Sequence, residues 1–389
     1  MNDLIYLDSA ATTPVDPDVY RAIQPYFCDT YGNPSSLHSV GRIARRAIEK
    51  AREQVADCLN CETSQVFFTS GATEADNWAI QMQHEYLEQW LCPNNKMLYS
   101  SIEHKAILNS IDKNLDVAIP VDKNGIVDID FIKTACCDMA NDRVSVCVMW
   151  ISNEVGSIQP IKELSDFCYE HKIPFHVDAT QSVGKIPISL KDYKGITTLA
   201  FSGHKIHSCK GCGCLIIRDP NADYVKPFIY GGGREYGLRA GTENVPAIIG
   251  LGTAMEKIAH KDFDNTHVYD LHKYLLNAIS EIEGVRFNGE GEHHSPYYLS
   301  VSFKGIEAES LVLSLDRKGI CVSAGSACNS GSTEPSYVLK AINVPEEFIH
   351  GTIRITFSDI NTLDECVCVA NTIKEEVAKL RSISPNWKG

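Results

Sequence analysis

Apolar residues return every four positions between Ser36 and Leu59, at Ile43, Ala47, Ala51, Val55 and Leu59, with Arg and Lys between them. That row predicts an amphipathic helix with one apolar face. Directly after it, QVFFT (65–69) is a short β-rich run, and Ser70-Gly71-Ala72-Thr73-Glu74 opens a second helical stretch through Leu87. Similar apolar runs recur at MLYSS (97–101), VSVCVMWIS (144–152), IPFHVDA (173–179), TTLAFS (197–202) and GCLIIRD (213–219). Strands that are apolar on both sides of the alternation, and that alternate with helical patterns, predict a mostly parallel sheet covered on both faces, an α/β fold.

The texture changes after the helix-like PAIIGLGTAMEKIAH (246–260). Beyond it come a helix (268–283), YLSVSF (298–303), a helix (307–318), a Ser/Gly-rich loop (323–336), GTIRITFS (351–358) and a final helix (362–381). This reads as a smaller α+β unit, joined by the N-terminal strand. The expected division is a large domain over 15–260 and a small domain made of 1–14 and 261–389, which carries the 323–336 loop.

Composition narrows the classes. The 389 residues are 44% apolar and 22% charged, which is ordinary for a globular chain. Thirty-six Lys and Arg against 50 Asp and Glu leave a formal charge of −14, which repels phosphate backbones and anionic bilayers. No direct nucleic-acid partner is expected. The longest apolar run, near 144–151, falls far short of the ~20 residues that span a bilayer, so no membrane segment is expected. MNDLIYLDSAATTP has no basic n-region and no long apolar run, and the 15 cysteines are odd in number and irregularly spaced. Both features fit reduced thiols and a cytoplasmic location.

Two clusters carry candidate chemistry. HVDATQSVG (176–184) and FSGHK (201–205) each place polar residues at the C-terminal end of an apolar strand, where open α/β sheets bind ligands. The first offers Asp178 and Gln181, the second Ser202, His204 and Lys205. An Asp and a Lys presented this way suit pyridoxal phosphate, with the Lys as Schiff-base amine and the carboxylate on the ring nitrogen. They equally suit a buried ion pair, and spacing alone does not separate the two. Gly71, Ala72 and Thr73 favour the cofactor, because backbone N–H groups at a helix N-terminus hold phosphate, although a plain capping turn has the same residues. His104, in SIEHKAI, follows another strand and offers a flat ring for stacking; a satisfied core histidine is the plain alternative.

Together these motifs resemble the cysteine desulfurases of the iron–sulfur-assembly type, fold-type I pyridoxal phosphate enzymes related to class V aminotransferases. The resemblance runs nearly end to end, through LDSAATTPVDP (7–17), YGNPSSLH (31–38), FTSGATEADN (68–77), EHKA (103–106), NEVGSIQPI (153–161), HVDATQSVGKIPI (176–188), FSGHK (201–205), GGGREYGLRAGTEN (231–244), SAGSACNSGSTEPSYVL (323–339) and IRITFS (353–358). It implies that Lys205 carries pyridoxal 5'-phosphate, Asp178 meets the pyridine nitrogen, Gln181 bonds the phenolic oxygen and His104 stacks on the ring. It further implies that Thr73, Ser202 and His204 hold the phosphate, beside the Gly71 and Ala72 amides of the helix N-terminus, and that Thr242 contributes a phosphate contact from a partner subunit, which makes a homodimer. Asn153 and Arg354 match the groups that receive the substrate, L-cysteine.

Cys328 matches the nucleophile that takes the substrate's sulfur as a persulfide, leaving L-alanine, for delivery to an acceptor protein, an iron–sulfur scaffold among the candidates. Its setting in SAGSACNSGSTEP is rich in Gly and Ser, a composition suited to a mobile loop. A selenocysteine lyase or another fold-type I enzyme is the alternative, set apart by alanine release without a keto acid. His207, Cys209, Cys212 and Cys214 are spaced like a metal set, yet Cys212 and Cys214 sit in an apolar strand and read as interior residues. No metal site is expected.

Overall fold

The computed structural model describes residues 4–89, 95–137, 143–325, 335–385 and 387. A short strand β1 (Ile5–Tyr6) precedes the large sheet, whose strands are β2 (Val66–Thr69), β3 (Lys96–Ser100), β4 (Val117–Ile119), β5 (Val144–Cys147), β6 (Phe175–Asp178), β7 (Ile196–Ser202) and β8 (Gly213–Ile217). Their spatial order is β2-β8-β7-β6-β5-β3-β4, and every neighbouring pair is parallel except the two made by β8. The expected mostly parallel sheet is present.

Alternation explains why these strands are apolar throughout. In β2, Val66 and Phe68 enter the main apolar cluster, beneath the helices Ser39–Leu59 and Val245–Ala259, while Phe67 enters a second cluster with Trp78 and Met82 of the helix Ala72–Glu88. Both faces are covered, so both alternating sets are buried.

The helix Ser39–Leu59 corrects one expectation. It starts at Ser39 with His38 as its cap, and its buried row is Ala44, Ile48, Ala51, Val55 and Leu59, while Ile43 is 41% exposed. A strict four-residue repeat advances about 40° beyond a full turn at each step, so over four steps it walks off the buried face. Ile43 lies at the end of that walk.

Later in the chain come β9 (Val285–Asn288), β10 (Tyr298–Phe303), β11 (Ile320–Cys321), β12 (Ser323–Ala324) and β13 (Thr352–Thr356). Four of them form an antiparallel sheet in the order β12-β13-β10-β9, and β11 pairs in parallel with β1, Ile5 opposite Ile320. The 152–157 turn links the two sheets: its Gly156 has φ +72°, and a Cβ there would lie 2.5 Å from Tyr298 Cβ. Only glycine fits that position without displacing β10. Among the described residues no helix is long and apolar enough to cross a membrane.

Candidate active site

Five parallel strands, β2, β3, β5, β6 and β7, end on one side of the large sheet, and β8 begins there because it runs the other way. The segments that follow those ends enclose a cavity of about 550 Å³. It is lined by Gly71, Ala72, Thr73, His104, Asn153, Asp178, Gln181, Ser202, His204, Lys205 and Arg354, all anticipated in the sequence. Thr242 lines a separate cavity of about 230 Å³ that shares Ser70 and Gly211 with the first. Cys328 lies outside the described residues.

Local geometry fixes most of these side chains. Lys205 ends the single turn Gly203–Lys205 after β7, and its Nζ donates to Ala10 O at 2.6 Å and Ala11 O at 2.7 Å. Asp178, the last residue of β6, accepts from Thr180 N at 2.8 Å through Oδ1. Gln181 donates to Ala10 O at 3.1 Å and accepts from Tyr298 Oη at 2.5 Å. His104 caps the short helix Lys105–Leu108 by accepting from Ala106 N at 3.1 Å through Nδ1, which leaves the ring proton on Nε2. Burial pushes the His104 imidazole below its usual range, so it is neutral. Burial, reinforced by Lys205 and Lys210, brings His204 down to about 4.

The other wall comes from the second sheet. Arg354, central in β13, donates to Asn153 O at 2.8 Å and to Asp8 Oδ1 at 3.0 Å. Next to Asn153, the buried Glu154 accepts from Ser336 Oγ, and burial raises its carboxyl to about 7. Asp8, Glu154 and Tyr298 were not anticipated, because their partners are remote in sequence. Asp76 was missed as well, although a helical reading puts it one turn beyond Ala72 and Thr73 on the same face. Its Oδ1 lies 3.3 Å from His176 Nε2. Burial raises the Asp76 carboxyl and brings His176 down to about 3, so the imidazole enters this contact as a neutral ring. The turn before this helix is tied by Glu74, which accepts from Arg239 Nε at 2.7 Å and from Ser70 N at 2.8 Å. Cys212 and Cys214 are buried in the main apolar cluster, and burial pushes both thiols up.

The donor set can be tested against pyridoxal phosphate. Four buried polar atoms of the lining, Asp76 Oδ2, Asn153 Oδ1, Thr180 Oγ1 and Arg354 Nε, have no hydrogen-bond partner among the described residues. Buried polar groups are ordinarily satisfied, so four around one cavity indicate a polar occupant. A Cβ added to Gly71 would meet only Ser202 Oγ within 4 Å, which leaves the space over the helix N-terminus open to an anion. With an amine at Lys205 and a carboxylate at Asp178, the residues present fit the cofactor.

Comparison with known proteins gives the same family. A model of the aminotransferase class-V family matches residues 5–367. The chain is 40% identical over 391 residues to a protein named cysteine desulfurase IscS from Methanosarcina thermophila, covering 99% of this chain and 94% of that one. A solved structure titled NifS-like protein superposes with a TM-score of 0.87 at 34% identity, covering 97% of this chain and all of that one. Another, titled SspA in complex with cysteine, gives a TM-score of 0.78 at 32% identity over 91% of this chain and 98% of that one. The chain belongs to the aminotransferase class-V family and, within it, to the pyridoxal phosphate-dependent cysteine desulfurases.

Proposed function

We propose how this chain's residues divide the work of removing sulfur from L-cysteine. The observation that carries the reading is the convergence of Lys205, Asp178, His104, Asn153 and Arg354 on one cavity. Pyridoxal phosphate bound there supplies an electron sink that labilises bonds at the substrate's α-carbon. Gly71, Ala72, Thr73, Ser202 and His204 would hold its phosphate, Asp178 its ring nitrogen, Gln181 its phenolic oxygen and Lys205 its aldehyde carbon, and the neutral His104 would stack on its ring.

Arg354 and Asn153 receive the substrate's carboxylate. A guanidinium set in a buried strand makes a charge-assisted contact stronger than a surface one. Lys205 Nζ takes the proton from Cα and returns it. The Cys328 thiolate attacks the substrate sulfur: an S–S bond forms as the Cβ–S bond breaks, and the electron pair, with a proton, ends on the carbon that becomes alanine's methyl. Cysteine and an enzyme thiol thus become alanine and an enzyme persulfide.

Thr242 lies outside its own chain's main cavity, which supports a homodimer in which each subunit lends it to the other. The persulfide passes to an acceptor protein, an iron–sulfur scaffold among the candidates, in the cytoplasm. The small domain, 1–14 with 261–389, brings Arg354 to the large domain, 15–260.

Incubation with L-cysteine alone should yield alanine without added keto acid, and a mass increase of one sulfur on the peptide containing Cys328. Cys328→Ser should keep the cofactor and release almost no sulfide. A persulfide mapped to another cysteine would overturn the assignment. Light scattering at micromolar concentration should give the mass of two chains, and a monomer with full cofactor would remove Thr242 from the partner's site.

A further inference from the structure

Far along the chain from the active-site motifs, three ligand-type side chains meet from separate segments: His272 from the helix Thr266–Ser280, Glu290 from just after β9, and His294 from the loop before β10. We infer that His272, Glu290 and His294 bind one divalent transition cation of the zinc class, at the seam between the antiparallel sheet and the turn that follows Asn153.

Geometry carries the inference. The three ligand atoms all lie within 4.8 Å of one another. Glu290 Oε1 stands 3.1 Å from His272 Nε2 and 3.6 Å from His294 Nε2. Two donors bound tetrahedrally at about 2.0–2.1 Å sit about 3.3 Å apart, so these pairs need to move only by tenths of an ångström. The nitrogen donors are interior, with side chains 8% and 4% exposed, whereas Glu290 at 25% stands at the mouth and gives an ion a way in.

Chemistry selects the ion. Two imidazoles and one carboxylate suit zinc and its neighbours, while calcium and magnesium prefer all-oxygen sites and cuprous copper prefers sulfur. Nε2 of each histidine faces an oxygen acceptor, Glu290 Oε1 or Val155 O, so each ring needs only to carry its proton on Nδ1 instead of Nε2 for that nitrogen to ligate.

The donors are also held in place. Ile158 N bonds His293 O and Ser295 N bonds Gly156 O, both at 2.9 Å, so the histidine loop is strapped to the 155–158 segment on either side of His294. The His272 ring lies 5.3 Å from that of His294 and 6.3 Å from that of Phe357. Binding would take His294 Nε2 away from Val155 O, which it now meets at 3.0 Å, and a water on the cation can replace that donor.

The test uses chelator-treated holoenzyme titrated with Co²⁺ alone. One Co²⁺ per chain should bind with visible d–d absorption and without the near-ultraviolet charge-transfer band of a thiolate ligand, which separates this site from the 15 cysteines. Zn²⁺ should displace it. Glu290→Gln and His272→Gln, each checked for folding by circular dichroism, should weaken Co²⁺ by at least about 100-fold. A wild-type protein that binds no Co²⁺, a thiolate band accompanying the bound ion, or wild-type affinity in both variants would overturn the site, and the first two outcomes do not depend on how the variants fold.

Discussion

The two walls of the cavity are built by different means. On the cofactor side three groups are fixed by near neighbours, Asp178 by Thr180, His104 by Ala106 and Glu74 by Ser70, while Lys205 and Gln181 also reach the N-terminal segment at Ala10. On the substrate side the bonds cross the chain, from Arg354 to Asp8 and Asn153 and from Ser336 to Glu154. A wall made of strand ends is set once its sheet forms, whereas a wall shared between two sheets depends on how they meet. The strand-end turns at Asp178 and His104 are therefore held locally, whereas Arg354 and Glu154 depend on contacts that span the fold.

If the two walls are independent, breaking one should leave the other measurable. Lys205→Ala should lower alanine release by at least on the order of 10⁴-fold, the scale of losing a central catalytic group. It should also abolish the borohydride-reducible link to the cofactor, and a link that survives would mean that another amine carries it. The thermal stability of that variant should still follow the wild-type pH dependence, because Glu154 is untouched.

Glu154 tests the opposite wall. Burial raises its carboxyl from 4.5 to about 7, so between those values the native state holds a proton that the unfolded chain has lost. Stability from this group is full below pH 4.5 and falls as pH rises through 7, by about 3 kcal/mol. Glu154→Gln keeps an acceptor for Ser336 and removes that slope, so its midpoint in urea should gain on the wild type between pH 5 and pH 8. Parallel curves would show that Glu154 titrates alike folded and unfolded. Its cofactor absorbance should not change.

Arg354→Ala should raise the KM for cysteine roughly 10- to 150-fold, the equivalent of about 1.5–3 kcal/mol for a lost charged contact. Arg354→Lys should recover little, since an ammonium lacks the planar fork. An unchanged KM would take Arg354 out of the substrate wall.

This asymmetry also decided what the sequence could reveal. The cofactor wall was legible because its residues fall within short motifs at the ends of apolar strands, and the strands themselves announce a covered parallel sheet. Asp8, Glu154 and Ser336 acquire their meaning from partners that no local pattern names. Ile43 was placed on the buried face by a repeat of four, which differs from 3.6 by enough to mislead over a long helix. His272, Glu290 and His294 come together only because β9 and the loop before β10 fold against one helix, and their spacing matches no familiar ligand motif.

The pairing of β1 with β11 has a consequence for how the protein is made. Ile5 leaves the ribosome first, yet its partner Ile320 follows 315 residues later. At roughly 5–20 residues per second the leading strand waits about 15 to 60 s for its place. Asp8 waits longer still for Arg354, which follows it by 346 residues. The wall that Arg354 shares with Asp8 therefore closes only after every residue proposed to hold the cofactor has been made.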